Sequence, residues 1–259
     1  VSSLNTGPGL NAVDVAGSYA YAANEATNAE LQVINISNIN SPSLVASYAI
    51  PGVSGSSEGT SIFYLNSKVY LTMEKVTGPE FHVIDVTNPA FPSLLGSFEV
   101  DDNVNDVYVR ENRAYLATEL GNAGLMILDV SNPASIILLG QSYSVDTNSV
   151  FNVDFSKTLF GPAQEFHIVN TSNPSEMTTL GSLGLGDIIN DIVARDTLAF
   201  IATSNSNREL QIIDIANPSN PILCSYLNFS QVATGIDYES NLVYMAVRSN
   251  DALRIITSQ

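Results

Sequence analysis

The stretch Leu210-Gln-Ile-Ile-Asp-Ile-Ala-Asn-Pro218 recurs with small changes from one end of the chain to the other. Its copies are Leu31-Gln-Val-Ile-Asn-Ile-Ser-Asn38, Phe81-His-Val-Ile-Asp-Val-Thr-Asn-Pro89, Leu125-Met-Ile-Leu-Asp-Val-Ser-Asn-Pro133, Phe166-His-Ile-Val-Asn-Thr-Ser-Asn-Pro174 and the terminal Leu253-Arg-Ile-Ile-Thr257. Successive starts lie 50, 44, 41, 44 and 43 residues apart. That period suits about four short strands per unit, and no stretch carries the 3.6-residue periodicity of a helical repeat.

Working outward from the third copy, four strands fit one unit: Asn105–Val109 (a), Ala114–Thr118 (b), Leu125–Val130 (c) and Ile136–Ser142 (d). Turn-forming residues separate them: Glu111-Asn112, Gly121-Asn122 and Ser131-Asn-Pro133. Strand c is apolar at successive positions, so both of its faces need a neighbour. Antiparallel units with two apolar faces bury both by stacking side by side, and closing the stack removes its exposed ends. The expected fold is therefore all-β, a six-bladed β-propeller of four-stranded antiparallel blades forming one domain over residues 1–259. The blades fall at about 10–52, 59–101, 104–146, 147–187, 188–230 and 231–259 plus 1–7. The sixth copy stops just after strand c, so residues 1–7 are expected to supply its outer strand and close the ring. Residues 150–160 align with strands a and b only with a gap, which marks blade four as irregular.

At the c-to-d corner, Asp85, Asp129 and Asp214, with Asn35 and Asn170 in their place elsewhere, precede an Asn or Asn-Pro by three residues. Asx side chains bond nearby backbone N–H groups and proline fixes φ, so this column reads as scaffold. With this pattern in view, the repeats resemble those of the LVIVD family along essentially the whole chain. The resemblance implies a β-propeller, commonly from bacterial or archaeal surface or secreted proteins, and implies no catalytic residues.

Acidic residues outnumber basic ones by 26 to 9, a formal charge of −17 that would repel nucleic acid and anionic membranes. No run is long and apolar enough to insert in a membrane. The single cysteine, Cys224, sits in an apolar strand without a basic neighbour and reads as an inert core thiol. His82 and His167 share the second position of strand c with Gln32, Met126, Gln211 and Arg254, and read as half-buried structural residues. No phosphate loop, HExxH or EF-hand loop is present. The sequons at Asn35, Asn170 and Asn228 fall on strands or strand ends and are weak glycosylation signals.

The carboxylates carry the functional expectation. Connections b-to-c and d-to-a share one face, which collects Glu25, Glu30, Glu58, Glu74, Glu80, Asp101, Asp102, Glu119, Asp146, Glu165, Asp187, Glu209 and Asp251. Within it, Asp102, Asn105 and Asp106 of blade three are repeated as Asp187, Asn190 and Asp191 of blade five, with Asp146 near the equivalent position of blade four. This acidic arc is the candidate ligand site, and Ca²⁺ is the cation its oxygens would suit; no other cofactor is expected. The Gly/Ser-rich loop Pro51–Gly59 offers a second contact surface. The leading expectation is a non-enzymatic, extracellular or cell-surface adhesion or recognition propeller, part of a larger surface protein, presenting this face to a protein, glycan or cation. The alternatives are a carbohydrate-active enzyme using Asp106, Asp191 or Asp237, and a structural module of a surface filament.

Overall fold

The computed structural model describes residues 3–54, 58–143, 145–229, 231–248 and 252–257. The fold is a six-bladed β-propeller. Blade one holds β1 (Leu10–Ala16), β2 (Tyr19–Asn24), β3 (Leu31–Asn35) and β4 (Ser43–Tyr48), and blade two β5 (Gly59–Leu65), β6 (Lys68–Met73), β7 (Phe81–Asp85) and β8 (Ser93–Phe98). Blade three holds β9 (Val104–Arg110), β10 (Arg113–Thr118), β11 (Leu125–Asp129) and β12 (Ile137–Ser142), within a residue of the expected strands. Blade four holds β13 (Thr147–Asp154), β14 (Lys157–Pro162), β15 (Glu165–Asn170) and β16 (Thr178–Gly184), and blade five β17 (Ile189–Arg195), β18 (Leu198–Thr203), β19 (Leu210–Asp214) and β20 (Ile222–Leu227). Blade six holds β21 (Ala233–Glu239), β22 (Leu242–Val247) and β23 (Leu253–Thr257). Each sheet follows chain order, and the paired strands run antiparallel.

The contacts divide the chain into two compact units, Val1–Leu120 with Ile127–Leu139 and Gly121–Met126 with Gly140–Gln259. In the first, Leu31 and Val33 of β3 pack in one cluster with Leu71 and Ile84 of blade two. In the second, Phe166 and Ile168 of β15 meet Ile192 and Ile213 of blade five, and Leu210 meets Ile236 and Met245 of blade six. This is why strand c is apolar on both faces: each face belongs to a different neighbour.

The corners follow from Asx chemistry. The side-chain oxygens of Asn35, Asp85, Asp129, Asn170 and Asp214 each accept the N–H two residues on, at 2.7–3.0 Å. Bonds from Thr87 and Ser131 hold the Asp85 and Asp129 carboxyls below the usual carboxylate range. Glycine at the outer strand has a separate cause. A Cβ on Gly96 or Gly140 would strike the carbonyl of Pro133 or Pro174 in the following blade, so these two outer strands need a bare backbone where the next corner docks.

Three expectations need correction. Blade six has three strands, and Ser3–Thr6 form none; Val1 and Ser2 lie outside the described residues. The Thr6 carbonyl instead accepts the Asn24 and Gln32 side-chain amides of blade one, at 3.2 and 2.7 Å. Leu253 and Ile255 are 61% and 57% exposed, whereas Leu31 and Val33 at the same positions are fully buried. Second, Cys224 is exposed, because a register shift between Ile212 and Ile213 turns it out of the sheet. Third, His82 is completely buried rather than half-buried, flanked by Leu71 and Ser97 across the sheet. Blade four retains all four strands, with two register shifts between β13 and β14. Of the Pro51–Gly59 loop, Ser54 forms a bridge with Thr77, and residues 55–57 lie outside the described residues, as do Ser230 of the third sequon and Asp251 of the acidic face.

Candidate functional site

The Asn and Asp residues of strand a tie neighbouring blades together. In the first unit, Asn11 Nδ2 donates to the Gly59 carbonyl at 2.9 Å and Thr60 Oγ1 to that of Val104. In the second, Asn148 Nδ2 donates to the Ile189 carbonyl at 3.1 Å and Asn190 Nδ2 to that of Ala233 at 2.6 Å. One position later, Asp106 accepts Ser61 Oγ at 2.8 Å, and Asp191 accepts the Ile236 N–H at 2.7 Å and Ser149 Oγ at 3.4 Å. Asp14 accepts the Tyr64 N–H at 2.6 Å. A short amide or carboxylate at these positions reaches exactly one blade across, satisfying backbone groups that strand a leaves open on its inner edge.

The remaining arc residues have local partners. Asp102 accepts the Asn103 N–H and Asp187 the Ile188 N–H, at 2.9 and 2.8 Å, and the Asp146 carbonyl accepts the Ala163 N–H at 3.3 Å. Asn105 donates to Glu119 at 3.2 Å. Asp102, Asn105 and Asp106 of blade three thus each bond a different partner, and so do Asp187, Asn190 and Asp191 of blade five. Among the described residues no three His, Cys, Asp or Glu side chains are arranged to hold a metal ion.

Several acids of the expected surface face point inward. Glu30 accepts the Ile50 N–H at 2.9 Å, Glu80 those of Val100 and Asp101 at 2.9 and 3.1 Å, and Glu209 that of Phe229 at 2.7 Å. All three are buried. Each directly precedes strand c and caps the d-to-a connection, a role that their shared repeat position could have revealed in the sequence. Lys75 closes over Glu80 at 3.3 Å, and over Asp101 at 3.1 Å.

The acids that do converge lie one step further out. Glu25, Glu74 and Glu119 follow strand b in blades one, two and three, and Glu58 precedes β5. The Glu74 N–H donates to the Glu58 carbonyl at 3.1 Å, which sets these two residues side by side. Desolvation, then the charges of Glu58, Glu119 and Glu25, push the Glu74 carboxyl above its ordinary range. This is a concentration of like charge that a cationic group would relieve.

Blade four departs from blades one, two and five. Glu165 directly precedes the expected strand c, yet its carboxylate is exposed and accepts His167 Nε2 at 2.8 Å. The Leu185 N–H, where a cap would act, is taken by the Gln164 carbonyl at 3.0 Å. Tyr143 packs on Phe160 with ring centroids 4.6 Å apart and presents an edge contact to His167 at 6.1 Å. Glu165 and His167 were read separately from the sequence and Tyr143 was missed, although a Ser-aromatic pair recurs at the end of strand d as Ser47-Tyr48, Ser97-Phe98, Ser142-Tyr143 and Ser225-Tyr226.

The LVIVD repeat profile matches residues 11–50, 76–100, 102–147 and 189–228. No curated protein matches the chain in sequence. Among solved structures, a protein of unknown function from Desulfotomaculum acetoxidans is similar with TM-score 0.77 at 10% identity, over 99% of this chain and 85% of that one. A chain of a nidogen/laminin complex is similar with TM-score 0.63 at 9% identity, over 90% and 87% of the two chains. BamB from Moraxella catarrhalis gives TM-score 0.58 at 13% identity, over 95% and 69%. At these identities the likenesses speak to fold alone.

Proposed function

The chain belongs to the LVIVD-repeat family, and on that footing we propose that it is a non-enzymatic recognition propeller, extracellular or displayed at a cell surface, whose acidic face takes a basic partner. The observation that carries this reading is the Glu25–Glu58–Glu74–Glu119 cluster, in which desolvation and then the charges of its neighbours hold Glu74 above its ordinary carboxylate range. Repulsion among carboxylates costs free energy in the unbound protein, and a partner's cation recovers it on binding. The partner is a protein or glycan bearing positive groups, with a cation such as Ca²⁺ as the smallest version of the same ligand. The strand-a carboxylates serve blade-to-blade bonds, which supports a binding role over carbohydrate cleavage by Asp106 or Asp191.

Calorimetric titration with an oligolysine peptide at low and high salt tests the reading. Affinity should fall steeply with salt, should drop with the Glu74→Gln/Glu119→Gln double variant, and should weaken as pH falls toward the ordinary carboxylate range, where Glu74 protonates ahead of an unperturbed carboxyl. Binding that is absent, or that is indifferent to those substitutions, removes the proposal.

A further inference from the structure

The end of blade three and the strands of blade four share one surface. In blade three the position before strand c is Gly124, and the d-to-a chain descends onto it: the Gly124 N–H donates to the Tyr143 carbonyl at 2.8 Å, and a Cβ there would strike the Val145 carbonyl. The close approach coincides with Tyr143 at φ 74°, left-handed backbone that bulky side chains rarely adopt. Its half-buried ring lies on Phe160 and beside His167, with the hydroxyl 3.1 Å from Thr179 Oγ1. Beside it, Glu165 is 60% exposed and fixed by His167, whose own side chain is 17% exposed. His167 Nδ1 is buried without a hydrogen-bond partner, so the ring is held by its aromatic neighbours and by Glu165.

The half-exposed Tyr143 ring, with an exposed carboxylate oriented by the histidine that the ring touches, offers the chemistry of ammonium recognition, in which the ring quadrupole and the negative charge act on one cation. A hard metal ion would ask for more oxygen ligands than this surface holds. We propose that Tyr143, His167 and Glu165 form a binding site for an alkylammonium group, of the lysine or quaternary ammonium type. The site shares the sign of the acidic cluster but does not depend on it.

The test is an NMR titration of the full chain with tetramethylammonium chloride and, separately, with N-acetyl-lysine methylamide, reading the Tyr143 and His167 ring signals against sodium chloride at equal ionic strength. Both probes should give saturable shifts at millimolar concentration. Glu165→Gln should weaken binding roughly 5- to 10-fold, Tyr143→Leu should remove it, and Tyr143→Phe, which keeps the ring, should retain it. Glu74→Gln should leave it unchanged, which separates this site from the oligolysine surface. Shifts reproduced by sodium chloride, indifference to both Glu165→Gln and Tyr143→Leu, or a response to the lysine probe alone would overturn the proposal.

Discussion

Blades two and four carry the same tripeptide, Glu80-Phe81-His82 and Glu165-Phe166-His167, at the same repeat position, and use it in opposite ways. In blade two the glutamate turns inward to cap two backbone N–H groups, and the histidine, fully buried, bonds the Pro79 carbonyl at 2.8 Å. In blade four the glutamate turns outward and holds the histidine itself. The two phenylalanines are equally buried, so the strand is placed alike and the difference lies at its entrance. Where the d-to-a connection offers free N–H groups, the carboxylate is drawn in; where the Gln164 carbonyl has already satisfied Leu185, it stays in solvent. A buried backbone donor outcompetes a partly exposed imidazole for a carboxylate because leaving that donor unpaired costs more.

The largest expected effect on this comparison is a pH dependence. Burial lowers the His82 pKa to about 4 from the ordinary 6.5. The unfolded chain therefore binds a proton that the folded chain refuses between these values, so stability falls as pH drops through that window. The loss is about 3 kcal/mol by pH 4. Chemical denaturation at pH 7 and pH 4.5 should show it, and His82→Met, the residue type that blade three uses at this position, should flatten the dependence. A variant with an unaltered slope would mean that the burial is not what sets it.

Next comes the cap. Glu80→Ala should cost about 2 kcal/mol, since it strands the Val100 and Asp101 N–H groups, whereas Glu165→Ala should leave the denaturation midpoint close to wild type. Equal losses would erase the contrast between the blades. Gly124→Ala should cost about 1–2 kcal/mol by pushing the chain at Val145 away, and should alter the Tyr143 ring signals while leaving those of blade two in place. The smallest expected effect is Asn190→Ala, about 1 kcal/mol, from loss of the bond to the Ala233 carbonyl. Hydrogen exchange should locate the weakening at β21; protection there equal to wild type would count against a blade-to-blade role for strand a.

Much of the architecture was readable because its causes are local and repeated. The continuous apolar run Leu125–Leu128, turn residues at Glu111-Asn112 and the Asx-proline corners act over a few residues, and five or six copies average out individual exceptions. The candidate site was less legible. Asp106 and Asp191 look like ligands in sequence because nothing local shows that their partners, Ser61 and Ile236, lie a blade away. Glu30, Glu80 and Glu209 look like surface charge for the same reason. Cys224 was misplaced because a register shift inverts the face that alternation assigns to it.

By itself, then, the sequence determined the repeat, the strands, their apolar faces and the sign of the surface, all of which follow from residue type and period. Only the tertiary structure decided which carboxylates face solvent, why the outer strands of blades two and three need glycine, and where Tyr143, His167 and Glu165 meet. These depend on backbone groups about 20 to 45 residues distant in sequence, and a carboxylate goes to whichever unpaired donor the fold brings within hydrogen-bonding reach.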